Sequence, residues 1–346
     1  MIGLLISFFI VGSLCMPVSA LEIHAPEVPR SAWENMPENT DSFSDGLVSV
    51  LKKAVQKSRP DLTEAMRVST SLAIIVLVIS VVHLVSEKTD KLTALIGSVT
   101  ISGVLLSRAN TMIQLATETI RELSEYGKLL YPVMATALAA QGGVTSSAAL
   151  YTGTAVVDMV LGNVIAKILV PLVYMYLTLV TANCALGEDL LKRMACLIKS
   201  GMTWFLKTIL MVFTTYISIS GVVSGTTDAV ALKAAKVTIS SVVPVVGGIL
   251  SDASEAVLVS AGLMKNAAGI YGILAILAVF LEPFLRIGIQ YLVLKATAAV
   301  CTLFGAKAIT VLIDQFSSAM GLLLAVTGTE CVLLLISTFC FLKGIS

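Results

Sequence analysis

Val68-Ser-Thr-Ser-Leu-Ala-Ile-Ile-Val-Leu-Val-Ile-Ser-Val-Val-His-Leu-Val-Ser86 runs for 19 residues without a carboxylate, lysine or arginine, between Arg67 on one side and Glu87-Lys88 on the other. A helix rises about 1.5 Å per residue, so the run is about 28 Å long, close to the hydrocarbon thickness of a bilayer. Only a helix satisfies its own backbone polar groups at that depth. The stretch therefore predicts a transmembrane helix.

The same pattern recurs along the chain. Ala148–Ala166 and Ile168–Leu186 read as two spans divided at Lys167, and Trp204–Val223, Phe284–Leu303 and Met320–Leu342 as further ones. Leu92–Leu106, Leu129–Ala140, Val237–Leu250, Ala256–Met264 and Ile270–Leu281 are apolar but shorter. Between them, Ala109–Lys128 is polar enough to lie at the interface, Glu188–Lys199 reads as a charged connector, and Ser224–Lys236 as a polar helix. The predicted fold class is an all-α, polytopic transmembrane protein of about six to eight spans.

Composition agrees. Hydrophobic residues are 57% of the 346 positions and charged residues 13%, about half the charge that a soluble domain carries. The formal net charge of +1 gives no reason to expect nucleic acid as a partner; the expected partner is the lipid bilayer. Cys15 falls in the apolar leader, and Cys184, Cys196, Cys301, Cys331 and Cys340 lie in or near apolar runs without a CxxC, as packing residues do.

Residues 1–20 read as a signal peptide: an apolar core over 1–16, a break at Pro17 and small residues at Val18-Ser19-Ala20. The segment lacks Lys and Arg before its apolar core, so an uncleaved first helix is the alternative. Residues 21–67 form a polar, extracytoplasmic segment, Pro-rich and disordered at first. An amphipathic helix follows over Asp45–Lys57, with Leu47, Val48, Val50, Leu51, Ala54 and Val55 as its apolar stripe. The basic residues Lys52, Lys53, Lys57, Arg59 and Arg67 run against the positive-inside tendency for such a location. Residues 68–346 make up the transmembrane domain.

Prolines suggest a candidate internal repeat. Pro132 precedes Pro171 by 39 residues and Pro244 precedes Pro283 by 39, with an offset of 112 between the pairs. Each leading proline sits in a short apolar run near a glycine pair, Gly142-Gly143 or Gly247-Gly248. Short segments interrupted by Gly and Pro at matching positions mark the central site of repeat-built transporters. Pro132, Gly142, Gly143, Pro244, Gly247 and Gly248 are accordingly the candidate conduit or hinge residues.

No catalytic, cofactor-binding or metal-ligating set is visible. His24 and His83 are the only histidines, and HExxH, Walker and GxSG patterns are absent. No enzymatic activity and no cofactor are expected. The better leads are charges within apolar runs, each costing about 2.5–3.5 kcal/mol to insert. Asp158, Glu282 and Arg286 are the candidate intramembrane polar residues, and Glu282 and Arg286, four apart, share a helix face on which they can pair. Lys295 is a further charge of this kind, while Lys167, Lys265 and Asp314 read as interfacial residues that snorkel.

Four pieces carry a family resemblance: Ile219-Ser-Gly-Val-Val-Ser-Gly-Thr-Thr-Asp228, Lys233-Ala-Ala-Lys236, Val243-Pro-Val-Val-Gly-Gly-Ile-Leu-Ser-Asp252 and Leu263-Met-Lys-Asn-Ala-Ala-Gly269. In order and spacing they resemble the stage III sporulation protein AE family, over about residues 65–346. The resemblance implies a permease-like subunit of a channel or secretion-like complex in the mother-cell membrane around the forespore. It further implies other stage III sporulation A proteins and a forespore-side protein as partners in endospore formation. Two other functions are compatible with the residues alone: a stand-alone secondary transporter with a midplane site near Glu282 and Arg286, and a structural subunit that conducts nothing.

Overall fold

The computed structural model describes residues 26–37, 43–85, 90–140, 144–219 and 267–345. A short 3-10 turn, Arg30–Asn35, precedes α1 (Phe43–Val85), α2 (Asp90–Ala140), α3 (Val144–Val164), α4 (Val170–Leu186), α5 (Asp189–Ile219), α6 (Ala267–Cys301) and α7 (Lys307–Ile345). The described residues contain no strand. Among them, five helical segments are long and apolar enough to cross a bilayer: Phe43–Val82, Gly153–Leu186, Asp189–Thr215, Gly269–Phe304 and Lys307–Leu342. The chain is a multi-pass helical membrane protein.

α7 is the central pillar, touched by α2, α3, α4, α5 and α6. Its residues from Leu322 to Leu335 are buried in unbroken succession, as expected of a helix apolar on every face. Elsewhere a single stripe faces inward. On α2 it runs Leu105, Ala109, Ile113, Ala116, Ile120, Leu123, Leu130, Met134, alternating steps of three and four residues. On α1 it runs Val50, Ala54, Leu72, Val76, while Ile74, Leu77, Val78 and Val81 point outward.

Two glycines at positive φ turn the chain back on itself. Gly187 (φ 69°) ends α4, donating its N–H to the Asn183 carbonyl, and Gly305 (φ 80°) separates α6 from α7. A side chain with a Cβ is strained at such angles, which is why glycine closes these helices. The second turn makes α6 and α7 an antiparallel hairpin, held in register by Lys295 with Asp314 and by the Ser317 hydroxyl donating to the Tyr291 carbonyl.

Several expected breaks are helical instead. Lys167 does not divide two spans. It lies in a π-turn, Ile165–Leu169, that carries α3 into α4, so Gly153–Leu186 is one continuous span. The wider turn takes up the hydrogen bond that Pro171, lacking an N–H, cannot make. Ala109–Lys128 and Leu129–Ala140 are not separate elements: both belong to the 51-residue α2, which passes through Pro132 without a break and packs against α7. The charged connector Glu188–Lys199 is itself helical, since α5 begins at Asp189. Ile270–Leu281 and Phe284–Leu303 are one helix with Pro283 inside it, and α1 runs without a break through the 67/68 boundary. In each case tertiary packing holds a helix through a charge or a proline. The expected signal peptide, the glycines Gly142, Gly143, Gly247 and Gly248, Pro244 and the Val237–Leu250 and Ala256–Met264 runs lie outside the described residues.

Candidate functional site

Three polar features stand out in this apolar bundle. The first is the outer face of α2. Ser107, Thr111, Gln114, Glu118, Arg121, Glu125 and Lys128 recur at steps of three and four and are all exposed. At 1.5 Å per residue the stripe is about 30 Å long. Hydrocarbon does not solvate such a face; water or protein does. Glu122, beside it, accepts a hydrogen bond from the Ser31 hydroxyl (2.6 Å).

The second is a closed ion network where the N-terminal segment meets α1 and α6. Arg286 Nη2 lies 2.8 Å from Glu282 Oε1, and its Nε lies 3.1 Å from Asp61 Oδ2. Lys57 bridges Glu34 (2.8 Å) and Glu282 (3.6 Å). Asn35 Nδ2 donates to Glu282 Oε2 (2.8 Å) and to the Ala278 carbonyl (3.2 Å), within the helical turn that Pro283 disturbs. Every charge has an opposite neighbour, so the network acts as a clip. The hydrogen bond and positive charge of Lys57 hold the Glu34 carboxyl below its usual range.

The third is Glu330, in mid α7. It is fully buried, and neither carboxylate oxygen has a hydrogen-bond partner. Asp158 of α3, 4% exposed, lies close enough to act on it electrostatically. The hairpin register brings Glu282 level with the turn of α7 that holds Glu330. Glu282 faces α1, whereas Glu330 faces α2 and α3.

Of the residues singled out by sequence, Glu282 and Arg286 do pair and Asp158 is buried in the bundle. The structure does not bring these three into one site. Pro132 is exposed on the outer side of α2. Lys295 pairs with Asp314, and Lys167 is exposed in the π-turn. Sequence reasoning missed Glu330, although it is the sole charge in Met320–Leu342 and the insertion cost that marks Asp158 marks it equally. The α2 stripe was also legible, as a heptad-like spacing of polar residues.

A buried apolar pillar and long encircling helices, five of whose segments are long and apolar enough to cross a bilayer, define a polytopic α-helical membrane protein. The particular family follows from comparison with known proteins. A family model described as "Stage III sporulation protein AE (spore_III_AE)" matches residues 32–343, and the chain belongs to that family. It is similar to the stage III sporulation protein AE of Bacillus subtilis (strain 168), 24% identical over 215 residues, which cover 62% of this chain and 54% of that protein. The chain thus spans about half the length of this curated relative. No solved structure matches.

Proposed function

We propose that the protein is a non-enzymatic membrane subunit of a mother cell–forespore channel or secretion-like complex needed for endospore formation. It sits in the mother-cell membrane around the forespore, and other stage III sporulation A proteins and a forespore-side protein complete the assembly. Within it the chain serves as the permease-like conduit. The observation that carries this reading is the exposed polar stripe of α2. A wall about 30 Å long that lipid does not solvate suits a water-filled path bounded by this chain and its partners. Pro132, at the end of the stripe, belongs to that wall. Gly142-Gly143 and the Pro244/Gly247-Gly248 counterpart of a 112-residue repeat are its hinges, and six to eight spans its full complement. The stand-alone transporter with a midplane site at Glu282 and Arg286 is less favoured, because both side chains are engaged in the ion network.

Two experiments test this. Deleting the gene should leave vegetative growth normal and arrest or collapse forespores once engulfment is complete; a growth defect, or normal spores, overturns the sporulation role. Replacing Glu118, Arg121 and Glu125 together by leucine should then leave the protein in the membrane but lower spore yield sharply. Unchanged yield would remove the conduit and leave a subunit that recruits partners and conducts nothing.

A further inference from the structure

Neither the polar stripe nor the ion network gives Glu330 a role. Burying a carboxylate costs several kcal/mol unless a charge or hydrogen bonds compensate it. Here two carboxylates meet. Glu330 is 0% exposed with both oxygens unpartnered, and Asp158 has an unpartnered Oδ1. The hydroxyls of Tyr131 on α2 and Ser337 on α7 are also buried, and Tyr131 lies close to both Ser337 and Asp158. Two glycines give these oxygens room. A Cβ on Gly162 would stand 3.2 Å from Ser124 Oγ and 3.4 Å from Glu330 Oε1, and a Cβ on Gly127 would stand 3.2 Å from Asp158 Oδ2.

The titratable side chains that act on the two carboxyls are Tyr131 on α2, Cys331 on α7 and, from the outer side of α2, Lys128; Tyr126 on α2 and Tyr271 on α6 act on each other. Only Lys128 is cationic. It is exposed and makes no ion pair with either carboxylate among the described residues, so it acts on both from a distance. Among the described residues, the two carboxyls thus face each other with no cation paired to either oxygen. The donors are all oxygen, which suits a hard cation and not a soft metal.

We propose that Asp158 and Glu330, with the hydroxyls of Tyr131 and Ser337, bind one monovalent cation, a sodium ion or a proton, between α2, α3 and α7. The site stands apart from the conduit reading, and its failure would leave the test of the α2 stripe untouched. The experiment follows thermal unfolding of the detergent-solubilised full chain by tryptophan fluorescence. Sodium chloride is compared with choline chloride at equal ionic strength, at about pH 6 and about pH 9. With sodium as the ligand, it raises the Tm of the wild type at the higher pH by about 2–4 °C and leaves Glu330→Gln unmoved. With a proton as the ligand, sodium has no effect, and the wild type loses a similar amount on going to high pH while Glu330→Gln does not. Asp158→Asn is read in the same way and stands in if Glu330→Gln fails to fold. A wild type indifferent to both sodium and pH, or variants that respond as it does, overturns the proposal.

Discussion

Glu282 and Glu330 sit at one level of the same hairpin and have opposite surroundings. Glu282 faces outward from α6 onto Arg286, Lys57 and Asn35, so its charge is matched within 2.8 Å. Glu330 faces inward from α7 onto another carboxyl, with no hydrogen bond to either oxygen. The first arrangement holds α1, α6 and the N-terminal turn together. The second stabilises nothing by itself, since like charges in a dry interior repel. A carboxylate in an apolar helix is therefore a clip or an open valence according to what the neighbouring helices bring to it.

Breaking the clip should give the largest effect. Arg286→Glu would crowd its new carboxylate against Asp61 and Glu282, and should cost about 4 kcal/mol, read as a loss of folded protein in detergent unfolding. Glu282→Ala removes the shared acceptor but leaves Arg286 paired to Asp61 and Lys57 to Glu34, so about 2 kcal/mol is expected in the same assay. If both variants unfold like wild type, the network is ornamental and the contrast disappears.

The inner site responds differently. Gly162→Val places branches against Ser124 and Glu330 and should cost about 1–3 kcal/mol by overpacking. Glu330→Gln should go the other way in sodium-free buffer at about pH 9, raising stability by about 1 kcal/mol, because it removes a buried charge at nearly constant shape. A gain from Glu330→Gln beside a loss from Glu282→Ala is the sharpest form of the comparison; two losses of equal size would dissolve it.

The smallest effect is at Glu34. Lys57 lowers its carboxyl in the folded state, through a hydrogen bond and then through charge. The contribution is therefore complete above the ordinary value of 4.5 and is lost as pH falls through the lowered one. Fluorescence of the adjacent Trp33 should change between about pH 5 and about pH 3, and Glu34→Gln should flatten that change.

Much of the architecture was legible in the residues. Val68–Ser86 and its counterparts declare a helical membrane protein, because an uncharged run of that length has no other stable environment. Glu282 and Arg286, four apart, declare their own pairing, which is local to one helix. The pieces between Ile219 and Gly269 carry the family resemblance in residue order and spacing alone.

What the tertiary structure alone decided is what covers each helix. α1 and α7 are comparably apolar, yet 17% of the most apolar window of α1 is buried in protein and 94% of that of α7. An apolar side chain records only that it leaves water; lipid and a neighbouring helix serve it equally well. The helices that continue through Lys167, Pro132 and Pro283 were hidden for a related reason, since neighbouring helices and a π-turn support backbone that local propensity would break. Glu330 shows the same limit: Asp158 and Tyr131 lie more than 170 residues away along the chain, and only the packing of α2 and α3 on α7 brings their oxygens to it.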